Sequence, residues 1–322
     1  MNKKFISMFH PERYQGWGKT QRYFEGWYFK MINADETKSF AIIPGVAMDK
    51  NGNSHSFIQV LDGKNRIAEY INFPITEFVA SASSFEIKIG NNAFSKNEIV
   101  LNLPKINGKL EFDNHILWPK KWYSPGIMGP FSFVPFMECY HGILSMYNDI
   151  KGHLVINGEN IDFSGGKGYI EKDWGQSFPS AYFWMQSNHF TNPRVSIKAS
   201  IANIPWLGSS FVGFIAGVWL NDRLLRFTTY NGTKLLQSFA DKSVVNIVLE
   251  NKKYRLEIKA HRADATELAS PISGFMNGRI EESMTSSIDV KISDKRSNKV
   301  LFEDTGRNAG LEVAGEIASL MK

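Results

Sequence analysis

The stretch Phe24–Met31, with the sequence FEGWYFKM, indicates the fold class because its residues fit the two-residue period of a β-strand. Alternate residues of a strand share a face, so Glu25 heads an otherwise apolar row of Trp27, Phe29 and Met31. An unpaired carboxylate buried in such a row would cost several kcal/mol or more. Three interpretations of Glu25 stay open: a structural carboxylate held by backbone amides, an edge residue paired with a cation, and a pocket acid.

Similar period-two patterns, broken by turn residues, recur along the rest of the chain and predict antiparallel β-structure. Hairpins are predicted at 98–112, at 152–166 around Asn157-Gly158, and at 216–232 across Asn221-Asp222. Single strands are predicted at 39–48, 55–63, 85–92, 255–263 and 286–294. Helical patterns are scarce, and the best of them is a short helix predicted at 310–322.

The number of strands sets the expected domain organisation. About 16–20 strands are too many for one small barrel. We therefore expect an all-β fold of two consecutive antiparallel barrels or sandwiches packed together, with few short helices. The turn region at 157–168 predicts a first domain at 1–162 and a second at 163–322.

The composition limits the compartment and the partners. Hydrophobic residues make up 43% and aromatic residues 13% of the 322, which suits a large core and an apolar ligand pocket. The single cysteine, Cys139, gives no internal disulfide, and the first 14 residues do not match a signal peptide. The longest apolar run, 204–220, is too short and interrupted to span a membrane. We expect a soluble cytoplasmic protein.

The charge pattern and the motifs exclude several function classes. A net charge of +5 with scattered basic residues predicts no nucleic-acid partner and allows transient contact with an anionic membrane surface. The chain has neither a phosphate-binding glycine loop nor a nucleophile elbow. Its seven histidines are scattered, so no metal site and no cofactor is predicted.

The segment 168–190, GYIEKDWGQSFPSAYFWMQSNHF, is the densest in aromatic and polar residues together. Glu171 and Asp173 share one face, and Trp184 and Gln186 share a face further along. A face that mixes aromatic rings with amides makes a poor sealed core, because buried amides need partners. It suits a pocket wall that binds an apolar ligand and orients it by a few polar groups.

Several short stretches of the sequence resemble the tocopherol cyclase family. The similar stretches are FEGWYFK, HSFIQ, YIEKDWGxxFP followed by WMQSNxF, and AGLEVAG, and they run in order from about Phe24 to Gly315. The resemblance implies two lipocalin-like barrels, related to the carotenoid hydratases of the calycin group. It also implies a cofactor-free isomerase (intramolecular lyase) that protonates an alkene of a prenylated quinol or related isoprenoid lipid and closes a ring through the phenol oxygen.

That chemistry requires a neutral buried acid, aromatic faces for a carbocation, and exclusion of water. Asp173 is the first choice as acid, although the family usually has asparagine there, so the acid is supplied differently here or the site has another use. The further acid candidates are Glu171, Glu25 and Glu138. The predicted substrate-binding residues are Trp27, Tyr28, His55, Gln59, Tyr140, Trp174, Trp184, Gln186, Asn188, Arg279 and Glu281.

Structural alternatives stand beside these predictions. Residues 171–173 also fit a salt-bridged hairpin shoulder, and Arg279 with Glu281 fits a structural ion pair. His55 and His141 are preferentially interpreted as core histidines with satisfied ring nitrogens, and the tryptophans are core residues by default. At the level of the whole protein, the alternative to an enzyme is a non-catalytic lipocalin-like carrier of a hydrophobic molecule.

Overall fold

A computed structural model describes residues 6–322, and β-strands dominate it. The strands are β1 (Tyr23–Ile32), β2 (Ser39–Met48), β3 (Ser54–Asp62), β4 (Ile67–Pro74), β5 (Phe78–Ala80), β6 (Glu86–Ile89), β7 (Asn92–Ser95), β8 (Glu98–Asn102), β9 (Ile106–Ile116), β10 (Cys139–Ile156), β11 (Glu159–Asp162), β12 (Lys167–Gly175), β13 (Ala181–Ser187), β14 (Ser196–Trp206), β15 (Ser209–Leu220), β16 (Arg223–Thr228), β17 (Lys234–Ala240), β18 (Val244–Glu250), β19 (Tyr254–His261), β20 (Thr266–Ile272), β21 (Phe275–Asp294) and β22 (Val300–Gly315).

Within residues 6–322, helical structure is limited to Ile6 and Ser7 and to short 3₁₀ turns. Three 3₁₀ turns occur, at Ile75–Glu77, Gly129–Phe133 and Ile317–Leu320. Within residues 6–322 no helix reaches seven residues, and none in this part of the chain is long and apolar enough to cross a membrane.

The strands form two antiparallel sheets. The first has the order β4-β3-β2-β1-β12-β10-β9-β8-β7-β6-β5, with β11 beside β10, and its eleven-strand path forms a near-closed barrel. The second has the order β16-β15-β14-β13-β22-β21-β19-β18-β17, with β20 beside β21. The prediction of an all-β fold with two antiparallel sheets is therefore confirmed.

The chain divides into two compact units. Unit one comprises the chain up to Phe178 together with Leu268–Arg279, and unit two comprises Pro179–Glu267 and Ile280–Lys322. The domain boundary predicted at residue 162 precedes β12, which pairs with β1 and β10 in the first sheet.

Each unit has its own hydrophobic core. In unit one, the row of Trp27, Phe29 and Met31 predicted for β1 points into a fully buried cluster. In unit two, Phe183 and Met185 of β13 do the same. The side chains at the alternate positions of β1 and β13 therefore lie on the opposite face of each sheet.

The predicted hairpins are confirmed by the strand register. β8 pairs with β9, β10 with β11, and β15 with β16. Asn157, Gly158, Asn221 and Asp222 all adopt positive φ, as two-residue hairpin turns require.

The helix predicted at 310–322 is wrong. Residues up to Gly315 belong to β22, which pairs with β13, and only Ile317–Leu320 form a 3₁₀ turn. Gly310 and Gly315 are weak helix formers, and the alternation of Leu311 with Val313 matches a strand that packs on the core of unit two.

Candidate active site

Strand β12 presents different chemistry on its two faces. It lies between β1 and β10, with Glu171 opposite Tyr28 on one side and Asp173 opposite His141 on the other. Lys172 and Trp174 point toward the core of unit one, so the carboxylates of Glu171 and Asp173 lie on the face away from that core. The polar face is nevertheless buried at Glu171, which is 4% exposed.

On the core face, Glu25 and Lys172 form a fully buried ion pair. Lys172 Nζ lies 2.6 Å from Glu25 Oε1, and both side chains are 0% exposed. The ammonium also donates to the carbonyl of Pro11, at 2.9 Å, and to that of Arg13. It lies 4.8 Å from the ring centre of Trp27 and 4.6 Å from that of Trp174. Its three donors and its charge are therefore fully used.

The carboxylate of Glu25 is equally occupied. It accepts hydrogen bonds from the backbone amides of Gln15, at 3.0 Å, and Gly16, at 3.1 Å, and from the Tyr23 hydroxyl. Burial raises the pKa of Glu25 and lowers the pKa of Lys172, and the ion pair opposes both shifts. Of the three interpretations of Glu25, this geometry favours the structural carboxylate, because the pair fixes residues 11–16 to the barrel.

The other face carries an imidazole between two carboxylates. His141 Nδ1 donates to Asp173 Oδ1 at 2.7 Å, and its Nε2 lies 3.5 Å from Glu171 Oε2. Nε2 is buried and makes no hydrogen bond within residues 6–322. The side chains of His141, Glu171 and Asp173 are 11%, 5% and 24% exposed, so Asp173 is the most accessible of the three.

Aromatic hydroxyls and a buried amine surround this cluster. Tyr169, two residues before Glu171 on β12, donates its hydroxyl to Glu171 Oε2. Burial, together with the adjacent carboxylate, raises the pKa of Tyr169 well above its usual value, so this phenol stays a donor. On β1, Tyr28 and Lys30 stand opposite Glu171 and Tyr169 and are 8% and 2% exposed.

The arrangement suits proton transfer better than metal binding. His141, Glu171 and Asp173 offer donor atoms that all lie within 4.8 Å of one another. However, the imidazole turns one nitrogen toward each carboxylate, whereas a metal centre needs its ligands to converge on one point from different sides. A proton can be shared between His141 and Asp173, which a 2.7 Å hydrogen bond joins.

Four other predicted residues of unit one have defined contacts: Gln59, His55, Tyr140 and Trp174. Gln59 is held against Ala269, accepting from its amide at 2.9 Å and donating to its carbonyl at 3.4 Å. His55 Nε2 bonds to the Tyr70 hydroxyl at 2.7 Å. Tyr140 stacks on Trp174 with ring centres 5.5 Å apart, which places it on the Lys172 face.

Glu138 immediately precedes β10 and is partly buried. Burial raises the pKa of its carboxyl. It follows that this side chain holds a proton more readily than an exposed glutamate, although it belongs to neither cluster on β12.

In unit two, the predicted residues Trp184, Gln186 and Asn188 are all nearly fully buried. Trp184 lies over Gly310 of β22, where an added Cβ would come within 2.6 Å of the ring. Lys198, which stands opposite Gln186, is also fully buried and donates to Ser200 at 2.5 Å. The second unit thus has its own buried polar face.

Arg279 and Glu281 were predicted as binding residues with a structural ion pair as the alternative. Both side chains are exposed, and Arg279 donates to the carbonyl of Gly278 at 2.7 Å. Neither is part of the two clusters built around β12.

Sequence reasoning missed three residues of these clusters. His141 was interpreted as a core histidine, although the register brings it directly opposite Asp173. Lys172 was interpreted only as part of the charged stretch 171–173, and Tyr169 was not singled out. A usable signal was present: residues 169, 171 and 173 alternate with 170, 172 and 174, so the lysine had to lie on the aromatic face.

The chain is similar to plant tocopherol cyclases over part of its length. It is 24% identical over 193 residues to the maize (Zea mays) protein described as tocopherol cyclase, chloroplastic. It is 24% identical over 191 residues to a rice (Oryza sativa subsp. japonica) protein described as probable tocopherol cyclase, chloroplastic. In both cases the match covers 56% of this chain and 40% of the relative, so the chain matches less than half the length of these curated relatives.

Solved structures share the fold. The crystal structure of CghA with Sch210972 superposes with a TM-score of 0.57 at 8% identity, covering 91% of this chain and 88% of that one. A second crystal structure of CghA gives a TM-score of 0.55 at 8% identity, with the same coverage. The family model described as tocopherol cyclase-like matches residues 111–315, which is more than half of the chain. This protein therefore belongs to the tocopherol cyclase-like family.

Proposed function

We propose that this protein catalyses the acid-catalysed cyclisation of a prenylated quinol or a related isoprenoid lipid, with Asp173 as the acid. The observation that carries the proposal is the 2.7 Å hydrogen bond from His141 to Asp173 Oδ1, on the most accessible carboxylate of a buried cluster. Family membership supports the reaction class, and the cluster supplies groups that can hold and release a proton.

The proposed reaction balances without a co-reactant. The O–H bond of protonated Asp173 breaks as its proton adds to the trisubstituted alkene, and the tertiary carbocation forms at the other carbon. A lone pair of the phenol oxygen then forms the C–O bond, and the phenolic proton returns to the Asp173 carboxylate. The product is an isomer of the substrate, and the acid is regenerated.

The neighbours of Asp173 assist each step. The Nδ1–H of His141 stabilises the carboxylate that remains after the alkene takes the proton. Glu171, which accepts from Tyr169, places a second carboxylate 3.5 Å from Nε2 of His141. Tyr28, opposite Glu171 in register, provides an aromatic side chain on the same face for cation–π stabilisation.

The experiment is turnover of a prenylated hydroquinone by the purified protein in deuterated water. Protonation of the alkene from solvent must place one deuterium on carbon in the cyclised product, which mass spectrometry detects. We expect Asp173→Asn to lower the turnover rate about 10²–10⁴-fold, the range typical of a lost general acid.

A matched control separates loss of the acid from loss of a buried carboxylate. Asp149 is partly buried on β10 and accepts from the Tyr147 hydroxyl at 2.7 Å, outside the cluster. Asp149→Asn should turn over at the wild-type rate. Recovery of the quinol unchanged and without carbon-bound deuterium would instead indicate a carrier, and full activity of Asp173→Asn would refute the assigned acid.

A further inference from the structure

The segment between β9 and β10, residues 117–138, has an unusual composition. Its first 21 positions, 117–137, contain no Asp or Glu and two lysines, Lys120 and Lys121, and Glu138 follows them next to β10. It also contains four prolines and many large apolar residues. Most of the segment has no regular secondary structure, apart from the 3₁₀ turn at Gly129–Phe133.

Two aromatic side chains of this segment, Trp122 and Tyr123, are exposed to solvent. The backbone groups of Lys121 and Ser124 bond to each other in both directions at 2.9 Å, which closes a two-residue turn. Trp122 and Tyr123 form its tip and are 80% and 47% exposed. These backbone bonds fix the course of the chain at the tip. We call residues 121–124 the Trp122 tip.

The base of the segment is fixed to unit one. Trp118, Ile127 and Met137 are buried, and Lys120 pairs with Glu12 at 2.6 Å. The exposed aromatic tip is therefore a property of an ordered segment. A lone exposed Trp is unremarkable, but Leu117 and Phe136 of the same segment are also about half exposed, at 48% and 52%.

We propose that the Trp122 tip docks this protein on the surface of an anionic phospholipid bilayer. Trp and Tyr are enriched at the membrane interface, because an apolar ring with one polar group suits the headgroup layer. Lys121 beside them, the absence of acidic residues from 117–137 and the net charge of +5 complement anionic headgroups. The inference goes beyond the proposed reaction and is independent of it.

The partner chemistry favours a bilayer over a protein. A protein interface usually needs a broad complementary surface, whereas a bilayer accepts a narrow protruding tip that lies a few ångströms deep. If the substrate is an isoprenoid lipid, as proposed above, docking also brings the protein to the phase in which such a substrate dissolves. That link is not needed for the binding test.

The test is co-sedimentation with vesicles of phosphatidylcholine alone or mixed with phosphatidylglycerol. Wild-type protein should bind the mixed vesicles and lose binding as salt rises, since the attraction is partly electrostatic. Trp122→Ser should bind about tenfold more weakly, because it removes the largest apolar side chain of the tip. Lys121→Glu should bind at least about fivefold more weakly.

Leu207→Ser is the matched control. Leu207 lies at the tip between β14 and β15 in unit two and is 78% exposed, but the adjoining stretch 204–211 carries no charge. This variant should bind vesicles as the wild type does. All variants should keep the wild-type thermal unfolding transition, since the replaced side chains are exposed.

Three outcomes would overturn the proposal. If the wild-type protein binds neither kind of vesicle, the tip is not a membrane-docking surface. Equal losses in Trp122→Ser and Leu207→Ser would reflect general surface hydrophobicity. A wild-type dimer in analytical ultracentrifugation that Trp122→Ser dissociates, without vesicle binding, would assign the tip to a second copy of the chain.

Discussion

Two neighbouring strands carry the same three-residue pattern on opposite faces of one sheet. In β1, Tyr23 donates its hydroxyl to Glu25, and in β12, Tyr169 donates its hydroxyl to Glu171. Both glutamates are buried, but Glu25 faces the core of unit one and Glu171 faces away from it. The third partner differs as well: a lysine for Glu25 and an imidazole for Glu171.

The difference lies in how many polar atoms remain uncommitted. Around Glu25 each oxygen and each ammonium proton has a partner, and no side chain of the pair is exposed. Beside Glu171, the Nε2 of His141 makes no hydrogen bond within residues 6–322, and the Asp173 side chain is 24% exposed. Burial of a carboxylate is thus a poor guide to function. A buried polar atom without a hydrogen bond, next to an accessible carboxylate, is a better guide.

The largest expected effect tests the core-face pair. Lys172→Met removes the cation bonded to Glu25 and leaves a buried anion, which should lower the free energy of unfolding by about 3–5 kcal/mol. Chemical denaturation followed by circular dichroism measures it. Asp173→Asn, on the other face, should stay within about 1 kcal/mol of wild type.

A double variant separates the ion pair from packing. Glu25→Gln combined with Lys172→Met leaves no buried charge at the site, so it should recover much of the lost stability. If Lys172→Met alone is as stable as wild type, Glu25 is not held as an anion and the structural interpretation fails.

The next effect in size tests the polar face. His141→Ala removes the hydrogen bond to Asp173 and should lower kcat about 10–100-fold, the cost of one charge-assisted bond, with KM unchanged. His141→Asn retains an amide donor near the position of Nδ1 and should recover part of kcat. A residue that only stabilises the fold would not show this rescue.

His115 provides the comparison for that series. It is partly buried, and its Nδ1 bonds to Ser145 at 3.0 Å, away from Asp173. His115→Ala should leave kcat at the wild-type value under conditions where both proteins are folded. Equal losses of kcat in His115→Ala and His141→Ala would mean that the His141 effect is structural.

The sequence predicted the features that depend on near neighbours. Alternation showed that Glu171 and Asp173 share a face and that Glu25 heads a core row, because a strand fixes these relations within a few residues. The hairpins at Asn157-Gly158 and Asn221-Asp222 followed from turn residues that accept positive φ.

The partners of these residues depend on pairing between distant strands. His141 and Asp173 are 32 positions apart, and Lys172 meets Pro11 across 161 positions. Periodicity does not contain that register, so Lys172 and His141 were not identified. The tail was misread for a similar reason, since pairing of β22 with β13 determined its structure.

The smallest expected effect concerns Tyr23 and Tyr169, one on each face of the sheet. Burial, followed by the adjacent glutamate, raises the pKa of Tyr23 and of Tyr169 well above the usual value near 10. Above that pH the unfolded chain loses these protons while the folded chain keeps them. The unfolded state then binds fewer protons, so the stability present below about pH 10 is lost as pH rises, by up to about 1.4 kcal/mol per pH unit for each tyrosine.

Tyr23→Phe and Tyr169→Phe should each reduce the slope of this alkaline loss by the contribution of one tyrosine. The measurement is the unfolding free energy as a function of pH from neutrality upward. Both variants should also lose some stability at every pH, because each glutamate loses a donor. Of these two variants, only Tyr169→Phe should also reduce turnover, because its partner Glu171 lies beside His141 and Glu25 does not. Reduced turnover in Tyr23→Phe, with its fold intact, would show that the core-face pair also serves the reaction and would remove the contrast between the two faces.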